Sequence, residues 1–151
     1  MLVRPLSMVA AASGGLSAGA MLLIRIVLLP FWRGLPPAEF RRWFASHSSR
    51  IRGLMIPLGT TAAVSAIATA TTEAVTERTA PTTSAIAAVS AVGVVAVTVT
   101  VNEPANEKFV QPDFDDEETT HLLARWARWH DVRVALGLIG AFAAARAAVN
   151  R

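Results

Sequence analysis

Long apolar runs that are almost free of charge restrict what this chain can fold into. A membrane-crossing α-helix needs about 20 consecutive, mostly apolar residues. Four such runs occur, at approximately residues 6–32, 53–72, 81–101 and 122–148. Charged residues make up 17% of the chain, against about a quarter in average proteins. The sequence therefore predicts a single all-α domain over residues 1–151, an integral membrane four-helix bundle.

The segments between the runs indicate how the helices connect. The second and third runs are separated by the short hydrophilic stretch TEAVTERT, so these helices are expected to be antiparallel neighbours. After the first run, LPPAEFRRWF begins with prolines and places Phe40, Trp43 and Phe44 at helical spacing. This pattern predicts a short interfacial helix after the first span, an anchor at the membrane surface. The β-branched stretch VGVVAVTVTV is compatible with a strand, but its length and membrane context favour a helix.

Basic residues indicate the orientation in the membrane. Cytoplasmic loops are enriched in Lys and Arg. One end of the bundle, with loops 33–52 and 102–130, carries more of them than the end that holds both termini. The first end has Arg33, Arg41, Arg42, Arg50, Arg52, Lys108, Arg125 and Arg128, and the second has Arg4, Arg78, Arg146 and Arg151. We therefore expect loops 33–52 and 102–130 to face the cytoplasm, with the protein in the cell (plasma) membrane.

Several classes of function are disfavoured by the same residues. The net charge of +3 comes from arginines beside apolar runs, so membrane lipid rather than nucleic acid is the expected partner. The chain has no Cys, which excludes thiolate sites and disulfides. The acidic run DFDDEE lacks the spacing and glycine of an EF-hand loop, and the histidines lack a dependable third ligand. No metal site is therefore predicted.

The stretch RWARWHDVRVALGLIGAF, residues 125–142, places polar and aromatic side chains on one helical face. At about 100° per residue, Trp126, Trp129, His130 and Arg133 share that face. Small residues let membrane helices approach closely, so the face is expected to point into the bundle, against the Gly15/Gly19 region of the first span. The same face continues through Gly137, Gly140 and Ala144.

This face contains the candidate functional residues. A neutral His130 can abstract a proton near pH 7, and it can equally be a structural, hydrogen-bonding residue. Arg25 lies within the first apolar run, where it either faces the interior or extends outward to the headgroups. His47 follows the interfacial helix and can turn toward the cluster. Arg25 and His47 are therefore candidate substrate contacts, with Trp126 and Trp129.

Three motifs in order resemble the anthrone oxygenase-like family of four-span membrane proteins. They are GLSAG…LLPFWRGLPPAEF at the first span, VNEPANEKF after the third, and RWARWHDVRVALGLIGAF opening the fourth. Asn102, Pro104 and Asn106 match the family's pattern in type, with one residue fewer between Pro and Asn. A second pattern is matched by Arg125, Trp126, His130 and Arg133. The similarity extends over nearly the whole chain.

The resemblance implies oxidation of an anthrone to an anthraquinone by O2, with no evident cofactor. It would make His130 the base, Arg133 or Asn102 the oxyanion partner, and Trp126 and Trp129 the walls of a flat slot. The partners would be O2 and a hydrophobic aromatic molecule. The residues also allow a non-catalytic membrane subunit or lipid-interacting bundle. A transporter is less favoured, because four spans are few and no inverted repeat is visible. The oligomeric state stays open.

Overall fold

The computed structural model describes residues 3–76 and 82–150, which form four long helices. They are α1 (Val3–Gly34), α2 (Pro37–Thr76), α3 (Thr82–Phe109) and α4 (Asp116–Val149). Each is long and apolar enough to cross a membrane. The prediction of an all-α, four-span integral membrane protein is thus confirmed.

The helices pack as a bundle in which α1 and α4 form the centre. α1 packs extensively against α2 and α4, and α3 packs against α4. α2 and α3 are also neighbours, but they form the least extensive of these pairings. The predicted turn between them lies largely outside the described residues.

One end of the bundle holds the connections 35–36 and 110–115. There Arg41 of α2 donates from Nη1 to Asp116 Oδ1 at 2.6 Å and to Thr119 Oγ1 at 2.8 Å. These bonds join the start of α2 to the start of α4. The two loops that were expected to lie at one end of the protein therefore do so.

The predicted boundaries need two corrections. Residues 37–52 do not form a separate interfacial helix, because they are the first part of α2, a continuous helix of 40 residues. Pro37 lies in its first turn, where a missing N–H costs nothing, and no helix-breaking residue separates this part from the second apolar run. The connection between the third and fourth predicted spans (residues 102–121) is also shorter, since α3 reaches Phe109 and α4 begins at Asp116.

Two widened turns explain why the prolines do not end α1 and α3. The turns Ile24–Leu28 in α1 and Thr98–Asn102 in α3 are π-helical. Pro30 lies two residues after the end of the first turn, and Pro104 lies two residues after the end of the second. A proline has no N–H to donate, and its ring clashes with the carbonyl four residues earlier. A wider preceding turn accommodates both defects, and such turns are frequent at functional sites.

The two ends of the bundle have different cores. At the end with connections 35–36 and 110–115, which we call the aromatic end, the buried core consists of Ile24, Leu29, Trp32, Phe40, Phe44, Ala105, Phe109, Leu123, Trp126 and Ala127. At the opposite end it consists of Ala10, Ala66, Ala87, Ala143 and Ala144. Small residues allow close helix approach, whereas large rings hold the backbones apart. Space inside the bundle is therefore expected at the aromatic end.

The glycine face of α4 points into the bundle, as its helical spacing predicted. A Cβ on Gly140 would lie 3.0 Å from Ser90 Cβ of α3, and a Cβ on Gly137 would lie 3.6 Å from Ala18 Cβ of α1. Ala144, which continues the same face beyond Gly140, is also buried. This face is thus a helix-packing surface.

The prediction that Gly15 and Gly19 of α1 pack against this face of α4 was wrong by about one residue. Gly15 and Gly19 have nothing within 4 Å of an added Cβ. Gly14 and Ala18 make the contacts instead, against Ala141 and Gly137. Neighbouring positions on a helix differ by about 100°, so the Gly15/Gly19 pair faces away from α4.

Candidate functional site

A cavity of about 360 Å³ lies between the four helices toward the aromatic end. Its volume is within the range of about 300–1,000 Å³ that is usual for small-molecule sites. Most of its lining is apolar, and a few convergent polar groups accompany it. The charged or strongly polar side chains in the lining are Arg52, Glu103, Asn106, His130 and Arg133.

His130 is fully buried in the wall of this cavity, with 0% of its surface exposed. Its Nε2 lies 2.9 Å from the carbonyl oxygen of Met21. A carbonyl can only accept, so Nε2 carries the hydrogen and Nδ1 of the neutral ring holds a lone pair. Nδ1 has no hydrogen-bond partner among the described residues. His130 is therefore oriented as a base with a free acceptor atom.

Arg133 lies about one turn further along α4 and is also buried. Within the described residues its guanidinium has no ion pair, and its Nε has no hydrogen-bond partner. Glu103, which also lines the cavity, attracts it electrostatically. A buried cation with unused donors provides a place where negative charge on a ligand would be stabilised.

A chain of hydrogen bonds joins α4, α3 and α2 along the cavity wall. Trp126 Nε1 donates to Asn106 Oδ1 at 3.0 Å, and Asn106 Nδ2 donates to Glu103 Oε1 at 3.0 Å. The other carboxylate oxygen, Glu103 Oε2, pairs with Arg52 Nη2 at 3.1 Å. This network fixes the indole of Trp126 and holds one negative charge at the cavity.

Aromatic rings form another part of the wall. Trp126 stacks on His130 at a centroid distance of 4.7 Å, nearly parallel. Trp32 meets Trp126 edge to face at 5.7 Å. Trp32 Nε1 is buried and has no partner among the described residues. Trp32 and Trp126 thus form an aromatic part of the cavity wall next to His130.

The structure brings together part of the set that the sequence suggested. His130, Arg133 and Trp126 line the same cavity. Asn102 is buried beside it without lining it, and its Nδ2 lies 3.4 Å from the Trp126 carbonyl oxygen. Asn102 therefore links α3 to α4 behind the wall.

Trp129, Arg25 and His47 lie outside the cavity, contrary to expectation. Trp126, His130 and Arg133 are the residues of α4 that line the cavity. Trp129 lies beside this face of the helix and is 40% exposed. Arg25 forms an ion pair with Asp131 on the outer surface. The ring of His47 stacks on Trp43 at 4.4 Å, and its Nδ1 is hydrogen-bonded to the Trp43 carbonyl.

Sequence reasoning did not select Arg52, Glu103 or Trp32. Glu103 and Asn106 are three residues apart on α3, a spacing that places them on one helical face. Arg52 is separated from them by about fifty residues in the chain, and Trp32 was read as the end of the first span. Within the described residues no group of three or more His, Asp or Glu side chains could hold a metal ion.

Together the fold and the cavity define a four-span membrane protein with an internal candidate site for a small molecule. The family model described as anthrone oxygenase matches residues 40–143. The chain belongs to the anthrone oxygenase family. The matched part includes Arg52, Glu103, Asn106, Trp126, His130 and Arg133. No curated protein and no solved structure matches the chain.

Proposed function

We propose that the protein uses O2 to oxidise an aromatic substrate of the anthrone type inside this cavity, without a bound cofactor. The observation that carries the proposal is that His130, whose Nδ1 has no hydrogen-bond partner among the described residues, lines one cavity together with Arg133 and Trp126. Membership of the anthrone oxygenase family supports the class of substrate.

The first step is proton removal from the substrate methylene. This methylene is acidic because its anion is an aromatic, phenolate-like species. His130 Nδ1 takes the proton, and the Met21 carbonyl orients the ring by accepting from Nε2–H. Negative charge develops on the substrate oxygen, where the Arg133 guanidinium stabilises it as a fixed donor in a buried site.

The second step is reaction of the electron-rich anion with O2. A carbon–oxygen bond forms, and the resulting peroxide anion takes back the proton held by His130. The hydroperoxide then loses water, which leaves a carbonyl where the methylene was. One oxygen atom of O2 enters the quinone and the other leaves as water. The substrate supplies all the electrons, so no external reductant is consumed.

The proposal also includes the location of the site. The aromatic end would lie toward the cytoplasmic face of the cell membrane, with membrane lipid around the helices. The substrate ring would lie against the stacked Trp126 and His130 rings, with Trp32 at its edge.

Purified protein in lipid nanodiscs tests the proposal directly. Anthrone and O2 should give anthraquinone faster than empty nanodiscs do, with no added metal or flavin and no effect of a chelator. His130→Ala should lower the rate by about 10²–10⁴-fold, the usual contribution of a general base. His121→Ala is the matched control, because His121 lies on the same helix and its side chain is 80% exposed.

Two results would contradict the proposal at different levels. Full turnover by a folded His130→Ala variant would show that another group removes the proton. If the native protein does not accelerate anthrone oxidation, the non-catalytic membrane bundle is the better description.

A further inference from the structure

The cavity is closed by two helices and open between the other two. Every residue that α1 and α4 contribute to its lining is buried. The lining from α2 and α3 includes side chains that are also largely exposed on the outside of the bundle. Ile56 is 54% exposed, Val95 41% and Val99 57%. A side chain that borders both the cavity and the outer surface lies at an opening, so the seam between α2 and α3 is open.

Packing along this seam agrees with an opening. α2 and α3 form the least extensive of the neighbouring pairings in the bundle. Gly59 of α2 lines the cavity, and a Cβ built on it would meet nothing within 4 Å. In contrast, Gly137 and Gly140 at the interfaces of α4 face atoms of α1 and α3.

The chemistry of the rim indicates what lies outside it. Ile56, Val95 and Val99 are apolar and belong to membrane-spanning helices, so their exposed surfaces face lipid acyl chains. At the end of the seam nearer the connection 110–115, the Arg52–Glu103 ion pair bridges α2 and α3. The seam is therefore apolar along the spans and closed by charge toward the headgroups.

We propose that the α2–α3 seam is a lateral portal through which a neutral, planar aromatic ligand passes between the lipid bilayer and the cavity. The Arg52–Glu103 pair bridges the two helices at its headgroup end. The identity of the ligand rests on the proposed function, whereas the existence of the portal rests on the exposed lining of α2 and α3.

A second route has to be distinguished from this one. A pocket of about 310 Å³ at the aromatic end is bordered by Arg33, Pro37 and Thr120, and it shares Trp32 with the main cavity. Movement of Trp32 would connect the cavity to this more polar pocket. A water-soluble ligand would use that route, and a lipid-dissolved ligand would use the seam.

The tryptophans of the chain can report on entry. Trp32 and Trp126 line the cavity, and Trp43 and Trp129 do not. A Trp43→Phe, Trp129→Phe background therefore leaves two cavity reporters. The chain has no native Cys, so single cysteines can be placed at Val99→Cys on the rim and at Val89→Cys on the same helix. Val89 is exposed and does not line the cavity, which makes it the matched control.

The experiment follows fluorescence quenching when anthraquinone is added to liposomes that contain each variant. N-cyclohexylmaleimide attached at position 99 should slow quenching by roughly tenfold or more, the change produced by a barrier increase of about 1.4 kcal/mol. The final quenching should stay the same, and the adduct at position 89 should have no effect. When N-cyclohexylmaleimide is attached at position 99 after the quinone has bound, release of the quinone should be slowed by the same factor as its entry.

Several results would overturn the portal. The adducts at positions 99 and 89 could give equal quenching rates, or the lipid-dissolved quinone could fail to quench the tryptophans at all. The adduct at position 99 could also reduce the final quenching while leaving its rate unchanged. Rapid quenching by water-soluble anthraquinone sulfonate, insensitive to the adduct at position 99, would assign entry to the pocket at Trp32. If the adduct at position 99 slows quenching but the protein does not oxidise anthrone, the portal is supported and the proposed reaction is refuted. If the protein oxidises anthrone but the adduct does not slow quenching, the reaction is supported and the portal is refuted.

Discussion

At the scale of single residues, Arg133 is the side chain whose burial is hardest to explain by stability. A buried guanidinium loses its hydration, and an ion pair returns that cost only with good geometry. Arg133 has no ion pair within the described residues, and its Nε has no partner there. A cation held in this way is poorly placed to stabilise the fold, but well placed to bind a developing oxyanion.

Replacing Arg133 by Met should therefore separate stability from activity. Arg133→Met removes the buried charge and retains much of the apolar stem, so the thermal midpoint in detergent should not fall. Anthrone turnover should fall by about 10²–10³-fold, as when a single oxyanion donor is removed. Arg128→Met, on the exposed side of the same helix, should change neither property. A variant that unfolds at a lower temperature would instead show a structural role for Arg133.

Helical spacing predicted part of the candidate site for a simple geometric reason. Trp126, His130 and Arg133 are four and three residues apart, so any straight helix places them on one face. The same arithmetic included Trp129, because it gives angles but not the positions of the neighbouring helices. Arg52 and Glu103 come together only when α2 and α3 pack, and no spacing within one helix indicates that contact.

At the scale of helices, the two π-helical turns account for the continuation of α1 and α3 past their prolines. Pro30 lies close to the predicted end of the first span at residue 32, and Pro104 lies beyond the predicted end of the third span at residue 101. In the structure each follows a widened turn and the helix continues. Whether a proline ends a membrane helix or is accommodated depends on neighbouring helices that satisfy the freed backbone groups, and this information is not local in sequence.

Packing of α4 against α3 gives a testable result at Gly140. A Cβ there would already lie 3.0 Å from Ser90 Cβ, so a Leu side chain cannot fit without moving a helix. Gly140→Leu should destabilise the fold by about 1–3 kcal/mol, the usual cost of overpacking. Gly15→Leu is the control, since nothing lies within 4 Å of its Cβ position. Thermal unfolding in detergent measures both, and equal stabilities would refute the packing of this face.

The first turn of α4 offers a pH-dependent test outside the membrane. Asp115 caps α4, and its Oδ1 accepts from the backbone N–H of Glu117 at 2.8 Å and Glu118 at 3.0 Å. The N–H groups of Glu118 and then Glu117 lower the pKa of Asp115 below its ordinary value of 3.8. A lowered folded-state pKa means that the cap stabilises the helix above pH 3.8 and is lost as the pH falls through the folded-state pKa.

When the pH falls through the folded-state pKa of Asp115, the cap becomes protonated. Amide exchange at residues 117 and 118 of the native protein, corrected for intrinsic rates, should therefore accelerate. Asp115→Asn should retain a capping oxygen and remove this pH dependence, because Asn caps helices about as well as Asp. Asp115→Ala should exchange rapidly at every pH. Persistence of the pH dependence in Asp115→Asn would assign it to another acid of the loop.

At the scale of the whole molecule, the sequence predicted the fold better than it predicted the cavity. Span number follows from the length and hydropathy of each run, which are local properties. The cavity depends on how far the helices separate. In the structure the helices approach through Ala10, Ala87 and Ala144 at one end and are held apart by Trp32 and Phe44 at the other. This difference between the ends emerges only when all four helices are assembled.

The orientation of the assembled bundle in the membrane is the remaining prediction. The contacts of Arg41 with Asp116 and Thr119 place the starts of α2 and α4 at one end, and this end carries the larger number of Arg and Lys. By the positive-inside rule it should be cytoplasmic. Single cysteines at Ala45→Cys and Gln111→Cys should therefore react with a membrane-impermeant maleimide only after permeabilisation. Thr76→Cys, at the opposite end of α2, should react in intact cells. Labelling of position 45 or 111 from outside would reverse the orientation and would move the closed, charged end of the proposed portal to the outer face of the membrane.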